Sequence, residues 1–150
     1  MAELRDLYQE VILDHAKAPR NYHPLNAATH RAEGYNPLCG DRFTVFLTMR
    51  GDVIEDIAFQ GSGCAISRAS ASMMTQNLKG KSATEAAETF QRFHRMVTGQ
   101  EDEKEAHAEL GKLEAFAGVS EFPARVKCAT LAWHTLQAAL HGDQEPVTTE

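Results

Sequence analysis

Apolar residues near the start of the chain recur at three- and four-residue spacing. Leu4, Leu7, Tyr8, Val11 and Ile12 share one face of an amphipathic helix. Lys17 lies near its end and Pro19 stops it, so the pattern predicts a helix over roughly residues 3–17. His15 falls in the last turn, where a cationic imidazole would complement the helix dipole. Pro19, Asn21, Pro24 and Asn26 mark residues 18–30 as a loop. The period then changes to two. Between Arg42 and Arg50, Phe43, Val45, Leu47 and Met49 take one side, and Arg42, Thr44, Thr48 and Arg50 the other, interrupted by Phe46. That is a half-buried strand. Gly51-Asp52 makes a turn, and Val53–Phe59 returns as the antiparallel partner. An isolated hairpin is marginal in water, so a further strand around residues 31–36, or a covering helix, is required.

Gly61-Ser62-Gly63 ends the second strand, and Cys64 opens a helix that runs to about Leu78. Ser82-Ala83-Thr84-Glu85 has the form of a capping box and begins a helix carrying Ala86, Ala87, Phe90, Phe93 and Val97, which stops before Gly99. Residues 100–108 are highly charged and read as an exposed connection or frayed helix. Leu110, Leu113 and Phe116 suggest a short helical turn ending at Gly118. The last helix starts at Pro123, a suitable first-turn residue, with Val126, Ala129, Trp133, Leu136 and Leu140 as its apolar stripe and Gly142 as its stop. A helix, a small antiparallel sheet and then helices make an α+β fold. We read one domain over residues 1–141 and a disordered tail over 142–150.

Composition narrows the class without naming the chemistry. The chain has 150 residues, 43% hydrophobic and 24% charged, which is ordinary for a globular domain with a real core. No apolar run approaches the roughly 20 residues of a membrane helix, and the charged N-terminus lacks a signal-peptide core, so a cytoplasmic location is expected. The net charge is −6 and no basic stripe is present, which argues against nucleic acid as a partner. Cys39, Cys64 and Cys128 are odd in number and far apart, so a disulfide framework is not expected.

The neighbours of the cysteines decide how far they can be read as inert thiols. Asn36-Pro37-Leu38-Cys39-Gly40-Asp41 puts a thiol and a carboxylate on one tight turn. Cys64 stands at a helix N-terminus, where free N–H groups and the dipole favour thiolate. Cys128 lies on the last helix, off the Val126–Trp133 stripe. Three thiolates and one carboxylate can fill a tetrahedral zinc shell, with the aspartate oxygen as the harder, less well matched donor. Two bland readings stay open at this point: three buried thiols, and Asp41 as an ordinary turn residue.

Taken together, several blocks resemble one family. They are Asn36–Asp41; Gly63-Cys64-Ala65-Ile66-Ser67 with Ala69-Ser70-Ala71-Ser72-Met73-Met74; and Arg125-Val126-Lys127-Cys128-Ala129. Leu7-Tyr8, Ile12-Leu13-Asp14-His15 and Pro19-Arg20-Asn21 join them. The pattern is similar to the IscU/SufU (NifU N-terminal-like) iron–sulfur cluster assembly family, to about residue 140. Lys127 stands where the scaffold branch has histidine, and the long segment between Cys64 and Cys128 favours the SufU branch. The resemblance implies a SufE/IscU-like fold and one zinc ion on Cys39, Asp41, Cys64 and Cys128. It also implies a sulfurtransferase whose Cys39 accepts persulfide sulfur from a pyridoxal-phosphate cysteine desulfurase of the SufS type, for a downstream assembly scaffold. Cys39 is the expected acceptor because a loop cysteine can leave a metal more readily than a helical one. Arg125 would stabilise the anionic site or face a partner, Lys127 would be a solvated charge, and His134 would lie at the surface. The alternatives are a scaffold holding a nascent [2Fe–2S] cluster on the same ligands and a purely structural zinc domain.

Overall fold

The period-two stretch lies at the centre of a sheet. In the computed structural model, which describes residues 2–37, 40–99, 110–142 and 147–148, strand β2 (Asp41–Arg50) runs antiparallel to β1 (His30–Asn36) on one side and to β3 (Val53–Ser62) on the other. Phe43, Val45 and Leu47 are fully buried on one face, and the register sets Phe59 beside Val45 and Ile57 beside Leu47. Phe46, which broke the alternation in the sequence, stands on the opposite face beside Ala58, with the Arg31 guanidinium 5.7 Å from its ring centre. The ring is thus shielded by a neighbouring cation and needs no second core.

The tail does not stay out of the fold. Val147–Thr148 form a two-residue strand, β4, parallel to β1 at Gly34 and Tyr35, so the sheet order is β3-β2-β1-β4. An open edge of β1 offers unpaired N–H and C=O groups, and two β-branched residues suit it. Composition registers only a short polar tail and misses this. The charged 100–108 connection lies outside the described residues.

Among the described residues, four α-helices and a 3-10 helix accompany the sheet: α1 (Ala2–Lys17), α2 (Ala65–Leu78), α3 (Ala83–Val97), the 3-10 helix Gly111–Glu121 and α4 (Pro123–His141), with α2 and α4 packed on it. The 3-10 helix runs three residues past the expected stop at Gly118. Leu110, Leu113, Phe116 and Val119 are all buried and spaced by three, the period that places side chains in line on a 3-10 helix. The capping box at Ser82 and Glu85 is complete, and Gly142, at φ 74°, ends α4 in the left-handed region.

Small residues let α2 sit in the middle of the helical layer. Ser67, Ala69, Ser70, Ala71, Ser72 and Thr75 are buried between α1 and α4, and the hydroxyls of Ser70, Ser72 and Thr75 bond to other elements. Ser70 Oγ donates to the Ala129 carbonyl at 2.5 Å and accepts from Trp133 Nε1 at 3.1 Å. Ser72 Oγ accepts the Arg20 backbone N–H at 2.9 Å, and Thr75 Oγ1 accepts from Asn21 Nδ2 at 2.9 Å, which pins the loop after α1 onto α2. On α4, Trp133 is fully buried and stacks on Phe93 at 4.7 Å.

Two histidines differ from the sequence expectation. His15 is buried, with Nδ1 2.7 Å from Ser72 Oγ, and burial first, then Arg20, lowers its pKa. It serves as a neutral packing and hydrogen-bonding group rather than a cation on the helix dipole. His134 is half-buried, its ring edge-on to Phe90 at 5.0 Å, and burial first, then His94, lowers its pKa. A reading from α4 alone could not see α3 cover this side of it.

Candidate metal centre

Asp41 opens β2, opposite Asn36 at the end of β1. The chain reverses between them through Gly40, at φ 73°, whose N–H donates to the Asn36 carbonyl at 2.9 Å. Only glycine adopts that backbone without strain. The turn therefore fixes Asp41 at the sheet end, where it is buried to 1% exposure. Leu38 and Cys39, between these anchors, lie outside the described residues.

Cys64 is the N-cap of α2. Its sulfur accepts the Ser67 N–H at 3.4 Å and stands 3.5 Å from Ser67 Oγ. Its own N–H donates to Asp41 Oδ1 at 2.9 Å, tying the helix start to the strand start. A hydrogen bond with Cys128 is the largest influence on the thiol. Burial opposes it, and the Ser67 hydroxyl and N–H bonds reinforce it, so the Cys64 pKa falls from 9.0 to about 6 despite the nearby Asp41 carboxylate. The shift favours the Cys64 thiolate, the direction that its place at a helix N-terminus predicts.

Cys128 lies in the second turn of α4, 3% exposed, with Asn36 Nδ2 directed at its sulfur from 3.7 Å. It is off the Val126–Trp133 stripe yet buried, because α4 is covered on more than one side. Ligand atoms of Asp41, Cys64 and Cys128 all lie within 4.8 Å of one another. Three of the four residues expected to bind metal therefore converge, from a strand start and two helices.

The donor set fits a thiophilic cation. Asp41 Oδ2 is buried with no hydrogen-bond partner among the described residues, while Oδ1 is taken by Cys64 N–H. An unpartnered buried carboxylate oxygen beside a thiolate costs at least about 1–3 kcal/mol. A cation between them relieves both burdens. Donors bound to a tetrahedral zinc at about 2.0–2.3 Å stand roughly 3.3–3.8 Å apart, so the cluster needs only a small contraction. Two sulfurs and one oxygen suit zinc or iron and are unsuited to calcium or magnesium.

The sequence reading passed over three residues of this centre. Asn36 is fully buried and directed at Cys128, Ser67 donates its N–H to the Cys64 sulfur, and Gly63 keeps the middle open. A Cβ on Gly63 would stand 2.7 Å from Asp41 Oδ1 and 2.5 Å from Ser67 Oγ. Ser67 had a local signal, an acceptor-friendly N-cap with a serine at the third helical position; Asn36 and Gly63 had none beyond adjacency. Arg125 is exposed, its guanidinium 4.6 Å from the Phe122 ring centre. Lys127 is half-buried.

The family model of the NifU-like N-terminal domain matches residues 7–129. The chain belongs to this IscU/SufU family of iron–sulfur cluster assembly proteins. It is 47% identical to the zinc-dependent sulfurtransferase SufU of Bacillus subtilis, over 91% of this chain and 90% of that protein. It is 44% identical to the iron–sulfur cluster assembly scaffold protein IscU of Streptococcus pyogenes, over 93% and 86%. A crystal structure from Fervidobacterium islandicum, described as an iron–sulfur cluster assembly scaffold protein for the SUF system, superposes with a TM-score of 0.81. It is 37% identical and is matched over 94% of its chain and 87% of this one. The α+β fold with its antiparallel sheet is the one shared by these family members. Relatives of nearly equal identity carry the two different functional names, so the branch has to be argued from residues. Among the described residues, no helix is long and apolar enough to cross a membrane.

Proposed function

We propose that this chain is a zinc-dependent sulfur acceptor in iron–sulfur cluster assembly, taking persulfide sulfur on Cys39 from a pyridoxal-phosphate cysteine desulfurase of the SufS type. The observation that carries the reading is the convergence of Asp41, Cys64 and Cys128 around a carboxylate oxygen with no partner. Its 47% identity to a protein named as a zinc-dependent sulfurtransferase supports zinc, as does Lys127, a protonated amine that cannot serve as a ligand beside Cys128. Cys39, two residues before Asp41, completes the ligand set. Zinc bound there would keep the coordinating thiols ionised at neutral pH.

The transfer itself is a thiolate attack on a disulfide-type bond. The Cys39 thiolate attacks the terminal sulfur of the desulfurase persulfide, a new S–S bond forms on Cys39, and the desulfurase cysteine leaves as thiolate. No net oxidation occurs. Asp41 and Cys64 hold the rim of the site through their mutual hydrogen bond, and Asn36 holds Cys128. Arg125, exposed on Phe122, we assign to contact with the partner. A downstream assembly scaffold would take the sulfur onward in the cytoplasm.

Metal analysis combined with desulfurase turnover tests the proposal. Near-stoichiometric zinc and a several-fold gain in turnover on addition are expected. Cys39→Ala should abolish the gain while leaving the fold intact, and unchanged persulfide transfer in that variant would rule out Cys39 as acceptor. The scaffold reading has support of its own, because the same donors suit iron and the Streptococcus relative is named as a scaffold. It predicts a visible-absorbing cluster transferable to an apoprotein. Zinc that is not displaced during reconstitution counts against it.

A further inference from the structure

Six residues beyond Cys128 on α4, a second set of potential metal ligands comes together. His134 meets His94 of α3, with ring centres 5.9 Å apart and ring planes at 78°. Among the described residues no other two histidines make a ring contact. Both rings also stand edge-on to Phe90, at 5.9 Å for His94 and 5.0 Å for His134. Phe90 stacks on the fully buried Trp133, which stacks in turn on the fully buried Phe93. The core therefore fixes the two helices that carry the histidines, and a pair set on such helices keeps its spacing.

Ring packing accounts for the carbons of these side chains and leaves their nitrogens unused. Both histidines are half-buried, and among the described residues neither ring has a hydrogen bond or an ion pair. Their nitrogens are not among the buried atoms that lack a partner, so they reach solvent. A neutral imidazole with an open lone pair is the form that binds metal. Burial first, then His94, lowers the His134 pKa and so favours that form. The spacing fits as well. An ion about 2.0–2.1 Å from each nitrogen lies about 3.2 Å from each ring centre, and tetrahedral ligation then sets the centres roughly 5.2 Å apart. The observed 5.9 Å corresponds to a slightly wider angle at the ion, which a small side-chain rotation closes. Histidine χ2 is soft, so turning the ring presents either nitrogen.

We propose that His94 and His134 form a second, exchangeable site for a borderline divalent cation such as zinc, completed by water. Among the described residues no third cysteine, histidine or carboxylate makes a cluster with them. Two imidazoles without a thiolate bind zinc more weakly than the Asp41–Cys64–Cys128 centre, and water in the remaining positions lets the ion exchange. Six residues of helix rise about 9 Å, so the two centres hold separate ions. The proposal stands on the α3–α4 pair and is independent of the sulfur-transfer reading.

Calorimetric titration with zinc chloride, in a non-chelating buffer, tests the site on the full-length protein already carrying one zinc. A second equivalent should bind, more weakly than the first. His94→Phe and His134→Phe keep a ring against Phe90 and remove the nitrogens. Each should lower the second affinity roughly tenfold or more while the first zinc and the Tm are retained. A measurement on the unsubstituted protein covers the case of a variant that folds poorly. In long-range 1H–15N spectra, the imidazole nitrogens of His94 and His134 should shift together as the second equivalent is added. Absence of a second equivalent overturns the proposal. So does a second equivalent that persists undiminished in either Phe variant, or one that shifts other histidines instead, since the ion then sits on scattered surface ligands. If a Phe variant loses its first zinc or its Tm, the nitrogen shifts alone decide.

Discussion

Replacing Gly34 tests how tightly α4, which carries Cys128, is held to the sheet. A Cβ at Gly34 would lie 2.1 Å from Thr135 Oγ1 and 3.3 Å from Leu131 Cδ1. Thr135 is fully buried, and its hydroxyl donates to the Leu131 carbonyl at 2.8 Å. Gly34→Ala therefore leaves two routes. Thr135 can rotate away and lose its hydrogen bond, or α4 can lift from β1. Overpacking costs about 1–3 kcal/mol, and a lost buried hydrogen bond adds about 1 kcal/mol. We expect a loss of about 2–4 kcal/mol for Gly34→Ala, the sum of these two ranges.

A double-mutant cycle isolates the cause. Thr135→Ala alone should cost about 1–2 kcal/mol, from its hydrogen bond and methyl. In the double variant the offending Oγ1 is gone, so the combined loss should fall short of the sum by about 1–2 kcal/mol. Urea denaturation followed by circular dichroism, with a check that the m-value is unchanged, supplies the numbers. Strict additivity, or a Gly34→Ala cost within 0.5 kcal/mol of zero, on the order of an ordinary surface substitution, would refute the contact as the reason for glycine.

Two further expectations concern the site and the histidines. Gly63→Ala pushes a methyl against Asp41 Oδ1 and Ser67 Oγ, so zinc affinity, measured by competition with a chromogenic chelator, should fall tenfold or more while circular dichroism stays native; equal affinity would show that the gap at Gly63 is not part of the centre. Burial lowers the pKa of both His15 and His134 below the ordinary 6.5, so the unfolded chain binds protons first as the pH falls. The contribution of these two histidines should thus be flat above about pH 7, decline as pH falls through about 6.5, and keep declining until the folded-state values are passed. His15→Gln should flatten the Tm profile between about pH 7.5 and 5, and an unchanged slope would mean that His15 does not resist protonation.

What the sequence reveals about this fold follows from which forces are local. The hairpin was legible because Phe43, Val45 and Leu47 alternate with polar residues, and the α3 start because Ser82 and Glu85 form a capping box within four residues. The 3-10 helix was half legible: its spacing of three was visible but read as one turn, since its continuation to Val119 depends on the core it enters. His15, His134 and β4 were misread for one reason. Each owes its state to an element distant in sequence: Ser72, Phe90 and the edge of β1. At the site, Asp41, Cys64 and Cys128 could be named from residue type and family pattern. Asn36 and Gly63 could not, because one directs a hydrogen bond at a sulfur and the other leaves room beside a carboxylate, and only the fold defines where those groups lie.

Those hydrogen bonds explain how three distant segments hold one geometry. Asp41 is placed by the Gly40 turn and its pairing with Asn36; Cys64 is placed by its N–H bond to Asp41 and by Ser67. Cys128 has no such local device on α4, whose first turn lacks a side-chain cap. Its position comes from below the site. Ser70 donates to the carbonyl of Ala129, the residue after Cys128, and also accepts from Trp133, so a single hydroxyl on α2 fixes the level of α4 against the helix that begins at Cys64. Because Ser70, Trp133 and the surrounding alanines are buried, this spacing is a property of the core and not of the loops. The run of small residues in α2 therefore does more than let helices approach. It holds α2 and α4 at the spacing that brings Cys64 and Cys128 together with Asp41.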